Sequence, residues 1–149
     1  MAFPRYKVWL LLGAVLGCLA VALGAFGAHG LEGAVRSQQA SGQLTDIEVA
    51  QTLAHWETAA RYQMYHALAL LAVGLLTARR CGWAINLAGV AFTLGVLIFS
   101  GCLYALVLTG QKWLGAVVPI GGLSLIAGWI CLAFAIWRDG APETGGAVE

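Results

Sequence analysis

Tyr62, Gln63 and His66, with Ser100 and Tyr104 further along the chain and His29 before them, are the side chains that could move a proton, ligate a metal or hold a polar ligand. Five lie in the outer parts of long apolar runs, and His29 stands just past the end of the first. A polar or ionisable group kept inside a membrane-length segment is costly, so it faces a bundle interior and has a partner there. On a continuous helix His55, Tyr62 and His66 share a face, because eleven residues at about 100° each return almost to the starting angle. Three chemistries are open to such a set. The groups can hydrogen-bond one another and backbone carbonyls, closing one end of a bundle. They can line a pocket for a small molecule or an ion. Two histidines from facing helices can hold haem or a metal, although no carboxylate–histidine spacing supports a metal. Histidine argues less strongly than a buried aspartate would, since a reference pKa near 6.5 lets it sit neutral at low cost.

Catalysis has weaker support. Ser100 stands in Phe99-Ser100-Gly101, without the G-x-S-x-G turn of a nucleophile elbow. The stretch GAFGAHG at 24–30 looks like a phosphate loop but lacks both the Lys-Ser/Thr pair and a preceding strand, so it reads as a pliable helix terminus beside His29. Glu57 is the carboxylate nearest His66 in sequence. Nine residues at about 100° put it on the opposite helix face. The expectation is a protein that is not an enzyme and carries no metal and no cofactor.

The elements that must position these groups are four apolar runs, at 8–28, 62–78, 83–108 and 116–137. A hydrocarbon core about 30 Å thick takes roughly 20 apolar residues as a helix, and open sheets cannot satisfy their backbone in lipid. Composition agrees: 60% of residues are hydrophobic and 10% charged, with mean hydropathy +0.82, where a soluble domain carries about 25% charged residues. The expected fold class is all-α, an integral membrane four-helix bundle forming one domain over 1–138. Net charge is +1 with no Lys/Arg block, so no nucleic-acid partner is expected. Cys18, Cys102 and Cys131 lie inside apolar runs and Cys81 in a tight loop; they read as packing residues. A lipoprotein-like box ends at Cys18, but apolar sequence continues about ten residues further, so the first run reads as a retained helix.

Positive charge favours the cytoplasmic side. With the N-terminus inside, Arg5, Lys7, Arg79, Arg80 and Arg138 are cytoplasmic against Arg36, Arg61 and Lys112 outside, which gives an N-in, C-in topology. Tryptophan rings settle at headgroup level: Trp9, Trp83 and Trp137 mark the inner interface, Trp56 and Trp113 the outer, and only Trp129 lies deep. Between the first two spans, Thr45-Asp46-Ile47-Glu48 fits a capping box. Val49, Leu53, Trp56 and Ala60 then recur at helical spacing, predicting an extra amphipathic helix over 46–61 that runs at the outer interface, with Glu57 and Arg61 paired at i, i+4. The 37–43 stretch reads as flexible and the 139–149 tail as a disordered cytoplasmic segment. Close helix packing, which must replace the hydrophobic drive in lipid, is expected at the small residues Gly13, Gly17, Ala20 and Gly24, at Gly95 and Gly101, and at Gly121, Gly122 and Gly128.

At these residues the chain resembles the domain-of-unknown-function 423 family of small membrane proteins, which includes transmembrane protein 256. The matching stretches are GAFGAHGL at 24–31, WETAARYQMYHAL at 56–68, FSGCLY at 99–104, PIGGL at 119–123 and Gly128-Trp129. Where relatives often have Ser after the Ser-Gly pair, this chain has Cys102. The resemblance implies a four-span, multi-pass protein of the cell inner membrane or a mitochondrial-type membrane, and brings no established activity with it. The functional expectation is an accessory or homo-oligomerising membrane subunit whose partners are the lipid bilayer and other membrane chains. The alternative is a small-molecule or ion-binding component using His29, Tyr62, Gln63, His66, Ser100 and Tyr104.

Overall fold

The computed structural model describes residues 4–79 and 82–139; Arg80, Cys81 and the tail at 140–149, to which the sequence readings above also applied, lie outside the described residues. Five α-helices occur, and no strand is present among the described residues. α1 spans Arg5–Phe26 and passes through a π-helical turn, Gly27–Leu31, directly into α2, Glu32–Ala40. The three make one rod of 36 residues, Arg5–Ala40, roughly 54 Å long at 1.5 Å per residue.

The expectation that the first helix stops near residue 28 is therefore corrected, and the 37–43 stretch begins as helix that runs to Ala40. Glycines at 27, 30 and 33 do not end a helix unless the backbone turns left-handed, and the first to do so is Gly42, with φ +76°. There Gly42 N–H reaches the Gln39 carbonyl and Gln43 N–H the Gln38 carbonyl, both at 2.9 Å, a Schellman stop that satisfies the orphan carbonyls of α2. Glu32 and Arg36, paired at 2.7 Å, support the last turns.

α3 spans Asp46–Arg79, 34 residues without a break. The capping box is formed: Thr45 N–H donates to Glu48 at 2.9 Å, and Glu48 N–H to the Thr45 hydroxyl at 3.3 Å. The separate amphipathic helix over 46–61 is corrected in turn. It is the first half of α3, because the buried stripe Val49, Trp56, Ala59, Ala60, Gln63, His66 and Ala67 runs through the supposed boundary without interruption. The Glu57–Arg61 pair is present at 3.2 Å.

α4 spans Trp83–Thr109 and ends on Gly110, whose φ of +69° lets its N–H cap Leu106. α5 spans Leu114–Asp139, with Pro119 inside its second turn rather than opening it. Packing runs in the order α1–α3–α4–α5, each pair antiparallel. Across α1–α3, Leu10 meets Gly74 and Gly13 meets Ala67; across α4–α5, Gly128 backs on Phe92 and Gly121 on Phe99. A Cβ on Gly13 would stand 2.8 Å from the Ala67 carbonyl oxygen, so only glycine lets these backbones approach so closely. Phe92, Leu70 and Val73 fill the centre. A second cluster of Leu31, Val35, Val49 and Trp56 seals the end of the bundle beside α2 against Tyr104 and Val107 of α4.

Three helical segments, Arg5–Ala40, Trp83–Thr109 and Leu114–Arg138, are long and apolar enough to cross a membrane. α3 differs in kind. It has twelve buried residues where α1 has three, and protein shields its Gln63, His66 and Thr77 side chains while the outer faces of α1 and α5 stay open.

Candidate functional site

Trp56 and Gln63 lie two turns apart on one face of α3 and reach two carbonyls that lie two turns apart on α1. Trp56 Nε1–H donates to the Leu23 carbonyl at 2.7 Å, and Gln63 Nε2 to the Leu16 carbonyl at 2.9 Å. A helical carbonyl has a second lone pair free for such a bond. The same device recurs at the other interfaces: Ser100 Oγ of α4 donates to the Ala59 carbonyl of α3 at 2.9 Å, and Ser124 Oγ of α5 to the Ala91 carbonyl of α4 at 2.8 Å. Side chains pair across two further gaps, Trp9 Nε1 to Asn86 Oδ1 and Trp129 Nε1 to His66 Nε2, both at 3.2 Å.

His66 is the centre of this network. It is only 4% exposed, and its ring lies between Tyr62, Phe92 and Trp129, with centroids 5.5–6.2 Å away. Its Nδ1 stands 2.7 Å from the Tyr62 carbonyl oxygen. A carbonyl only accepts and an indole N–H only donates, so the partners assign the proton to Nδ1 and leave Nε2 as acceptor. Held this way, the ring is neutral and both nitrogens are in use.

The six residues picked from sequence do not converge on one cavity. Gln63, His66 and Ser100 are buried in the pins just described. Tyr62 is 40% exposed and lies over Phe99. Tyr104 packs edge-on against Trp56 at 4.7 Å, and its hydroxyl is buried with no hydrogen-bond partner. His29 stands exposed on the π-helical turn, away from the others. Of the expected packing glycines, Gly13, Gly121 and Gly128 are in tight contact, Gly17 and Gly122 only in ordinary contact, and a Cβ on Gly24 or Gly101 would meet nothing within 4 Å. The last two have no close-approach role within the chain.

Sequence reasoning placed Trp9 and Trp56 at the membrane interfaces as surface markers. Both are buried, whereas Trp83, Trp113 and Trp137 are exposed. It gave Trp129 no partner and did not single out Ser124. The depth of Trp129 was the available signal, because a mid-span indole N–H needs an acceptor. Among the described residues no three His, Cys, Asp or Glu side chains gather as a metal site needs.

Clefts open on the surface among the described residues, and three of them are lined by none of the six. One of 280 Å³ lies between the π-helical turn and α3, bounded by Gly24, Gly27, Ala28, Glu32, Leu53, Trp56, Glu57 and Ala60. A second, of 910 Å³, separates α2 and the first half of α3 from the end of α4, with Glu48, His55 and Lys112 on its walls. The third lies at the opposite end, between Tyr6, Thr77 and Trp83. Outside its membrane-spanning part, Glu48 has its carboxyl held below the usual range, first by the Thr45 backbone N–H and then by the Thr45 hydroxyl.

These features define a class: an all-α membrane protein in which the buried Gln63, His66 and Ser100 side chains join helices. The particular family follows from comparison. The family model described as "Protein of unknown function (DUF423)" matches residues 23–122. The UPF0382 membrane protein of Staphylococcus aureus (strain bovine RF122 / ET3-1) is 42% identical over 132 residues, covering 89% of this chain and 97% of the relative. The UPF0382 membrane protein YwdK of Bacillus subtilis is 40% identical over 130 residues, covering 87% and 95%. The chain belongs to this family of membrane proteins. No solved structure matches it.

Proposed function

We infer that this is a non-catalytic, four-span protein of the inner membrane, with both ends cytoplasmic, that works by association, as an accessory subunit or as an oligomer of itself. The observation that carries this reading is the division of labour among side chains. Polar groups at the helix interfaces are used in intramolecular pins, while α1 and α5 leave Leu11, Val21, Leu123, Ile126 and Ile130 open on their outer faces. Apolar surface on that scale suits lipid or another membrane chain.

α3 counts as the fourth span because it lies antiparallel along α1 from Leu10 to Leu23 and along α4 from Phe92 to Ser100. A helix held between two crossing helices crosses with them. Its lower hydropathy fits its place, since Gln63 and His66 face protein. Cross-linking in native membranes tests the reading. A multimer or a cross-linked partner is expected, and monomer alone under conditions that link a known oligomer refutes it.

The second reading, a ligand site drawing on His29, Tyr62, Gln63, His66, Ser100 and Tyr104, has one observation in its favour: the unpartnered Tyr104 hydroxyl. A buried unsatisfied donor costs about 1–3 kcal/mol. On the structural reading Tyr104→Phe raises stability by about 1 kcal/mol in detergent. A loss of stability instead supports a bound group at that hydroxyl.

A further inference from the structure

The cleft of 570 Å³ at the end of the bundle away from α2 lies where α1 and α4 begin and α3 ends. α1 gives it Arg5 and Tyr6, α3 gives Thr77, and α4 with its N-cap gives Gly82, Trp83 and Asn86. Two of these polar side chains are already engaged. The Thr77 hydroxyl donates to the Val73 carbonyl at 2.8 Å. Asn86 donates through Nδ2 to the Gly82 carbonyl at 2.9 Å and accepts from Trp9 at 3.2 Å. The Arg5 guanidinium, the Tyr6 hydroxyl and the Trp83 indole N–H have no hydrogen-bond or ion-pair partner among the described residues. All three can donate, Arg5 adds a full positive charge, and no carboxylate lines the cleft. The complement to unspent donors around a cation is an anion rich in acceptors. α4 starts without a side-chain cap, so its first backbone N–H groups add donors on the same wall.

The surroundings say what carries that anion. Arg5 stands just before the apolar run that begins at Val8, and Trp83 opens the run of α4, so the cleft lies where the spans leave the acyl chains. Trp83, Leu87, Val90 and Leu94 recur at helical spacing on one face of α4, and all four are exposed. An apolar track thus leads from the cleft into the span. We propose that this cleft binds the phosphate of an anionic phospholipid such as phosphatidylglycerol, with Arg5 as its cation, Tyr6 and Trp83 donating beside it, and the acyl chains along α4. The planar guanidinium suits two phosphate oxygens at once. A zwitterionic headgroup brings its own cation to Arg5, and the cleft has no carboxylate to receive it. Free phosphate leaves the α4 track unused. The proposal goes beyond association and depends on neither a partner chain nor the orientation in the membrane.

Full-length protein purified in detergent provides the test, with the thermal midpoint followed at constant ionic strength as short-chain phosphatidylglycerol, short-chain phosphatidylcholine or inorganic phosphate is added. Phosphatidylglycerol is expected to raise the midpoint saturably, at a lower concentration than phosphatidylcholine. Arg5→Gln should raise the phosphatidylglycerol concentration needed for half the shift about fivefold or more and leave the phosphatidylcholine response unchanged. Arg5 is exposed and unpaired, so this variant retains the fold. Trp83→Phe, at a side chain 61% exposed, is expected to act in the same direction and decides the question if Arg5→Gln lowers the midpoint of the lipid-free protein. Lys112→Gln removes an exposed cation from the opposite end and should change nothing. Equal responses to the two lipids, an unchanged phosphatidylglycerol response in Arg5→Gln, or an equal loss in Lys112→Gln overturn the proposal. A full shift from inorganic phosphate overturns the lipid as source.

Discussion

At the scale of single residues, His66 and Trp129 act as a unit. The indole N–H donates to the Nε2 lone pair, so removing the indole leaves the buried His66 Nε2 unpaired. Trp129→Phe should cost about 1 kcal/mol of stability in detergent, the upper part of the range measured for hydrogen bonds in membranes. Nitrogen NMR of labelled protein should show a protonated Nδ1 and an unprotonated Nε2 on His66. The reverse tautomer would falsify the assigned pairing. Gly13 is decided by space rather than hydrogen bonding. Gly13→Leu drives a side chain into the Ala67 carbonyl, a backbone atom unable to yield, and should lower stability by roughly 2 kcal/mol. Gly24→Leu serves as the control, with an unchanged thermal midpoint expected.

At the scale of elements, the start of α3 depends on its cap. Thr45 and Glu48 satisfy each other's amides, which anchors the helix end. The folded state holds the Glu48 carboxyl below its ordinary value of 4.5. Its contribution is therefore present in full above that ordinary value and is lost as pH falls through the lowered one. Hydrogen-exchange protection factors at the amides of Ile47, Glu48 and Val49, which divide out the intrinsic pH dependence of exchange, should be steady near neutrality and fall in acid below about pH 4.5. In Thr45→Ala that acid-dependent step should shrink. A step of equal size in the variant would assign it to another group. The π-helical turn is a second element-scale device. Glu32 N–H reaches back five residues to the Gly27 carbonyl, and the glycine at 27 admits the Trp56 indole against the backbone, where it bonds Leu23.

At the scale of the molecule, the hairpin of α1, α2 and α3 is longer than the hairpin of α4 and α5. A 36-residue rod exceeds a 27-residue helix by nine residues, roughly 14 Å of rise. Both pairs start near the same end, where Trp9 meets Asn86, so the excess projects at the other, and the 41–45 turn is its tip. With the N-terminus inside, Ser41→Cys should react with a membrane-impermeant maleimide added to intact cells, provided the reagent can reach the periplasmic face. Labelling that appears only after the cytoplasm is opened reverses the orientation.

The sequence by itself determined what is local. Apolar run length marked the helices, the Thr45–Glu48 pattern marked a helix start, and Glu57 with Arg61 marked an ion pair, since each depends on neighbours within a few residues. Family membership was legible for the same reason, in short motifs read in order. Tertiary structure alone decided which tryptophans are pins and which stand exposed, that α1 continues past His29, and that His29 stands apart from His66. Lipid and protein interior are equally apolar, so a hydrophobic residue carries no sign of which one it faces. That choice is made by the register between helices, fixed where glycines at 13, 121 and 128 let backbones meet and where side chains find carbonyls on another helix.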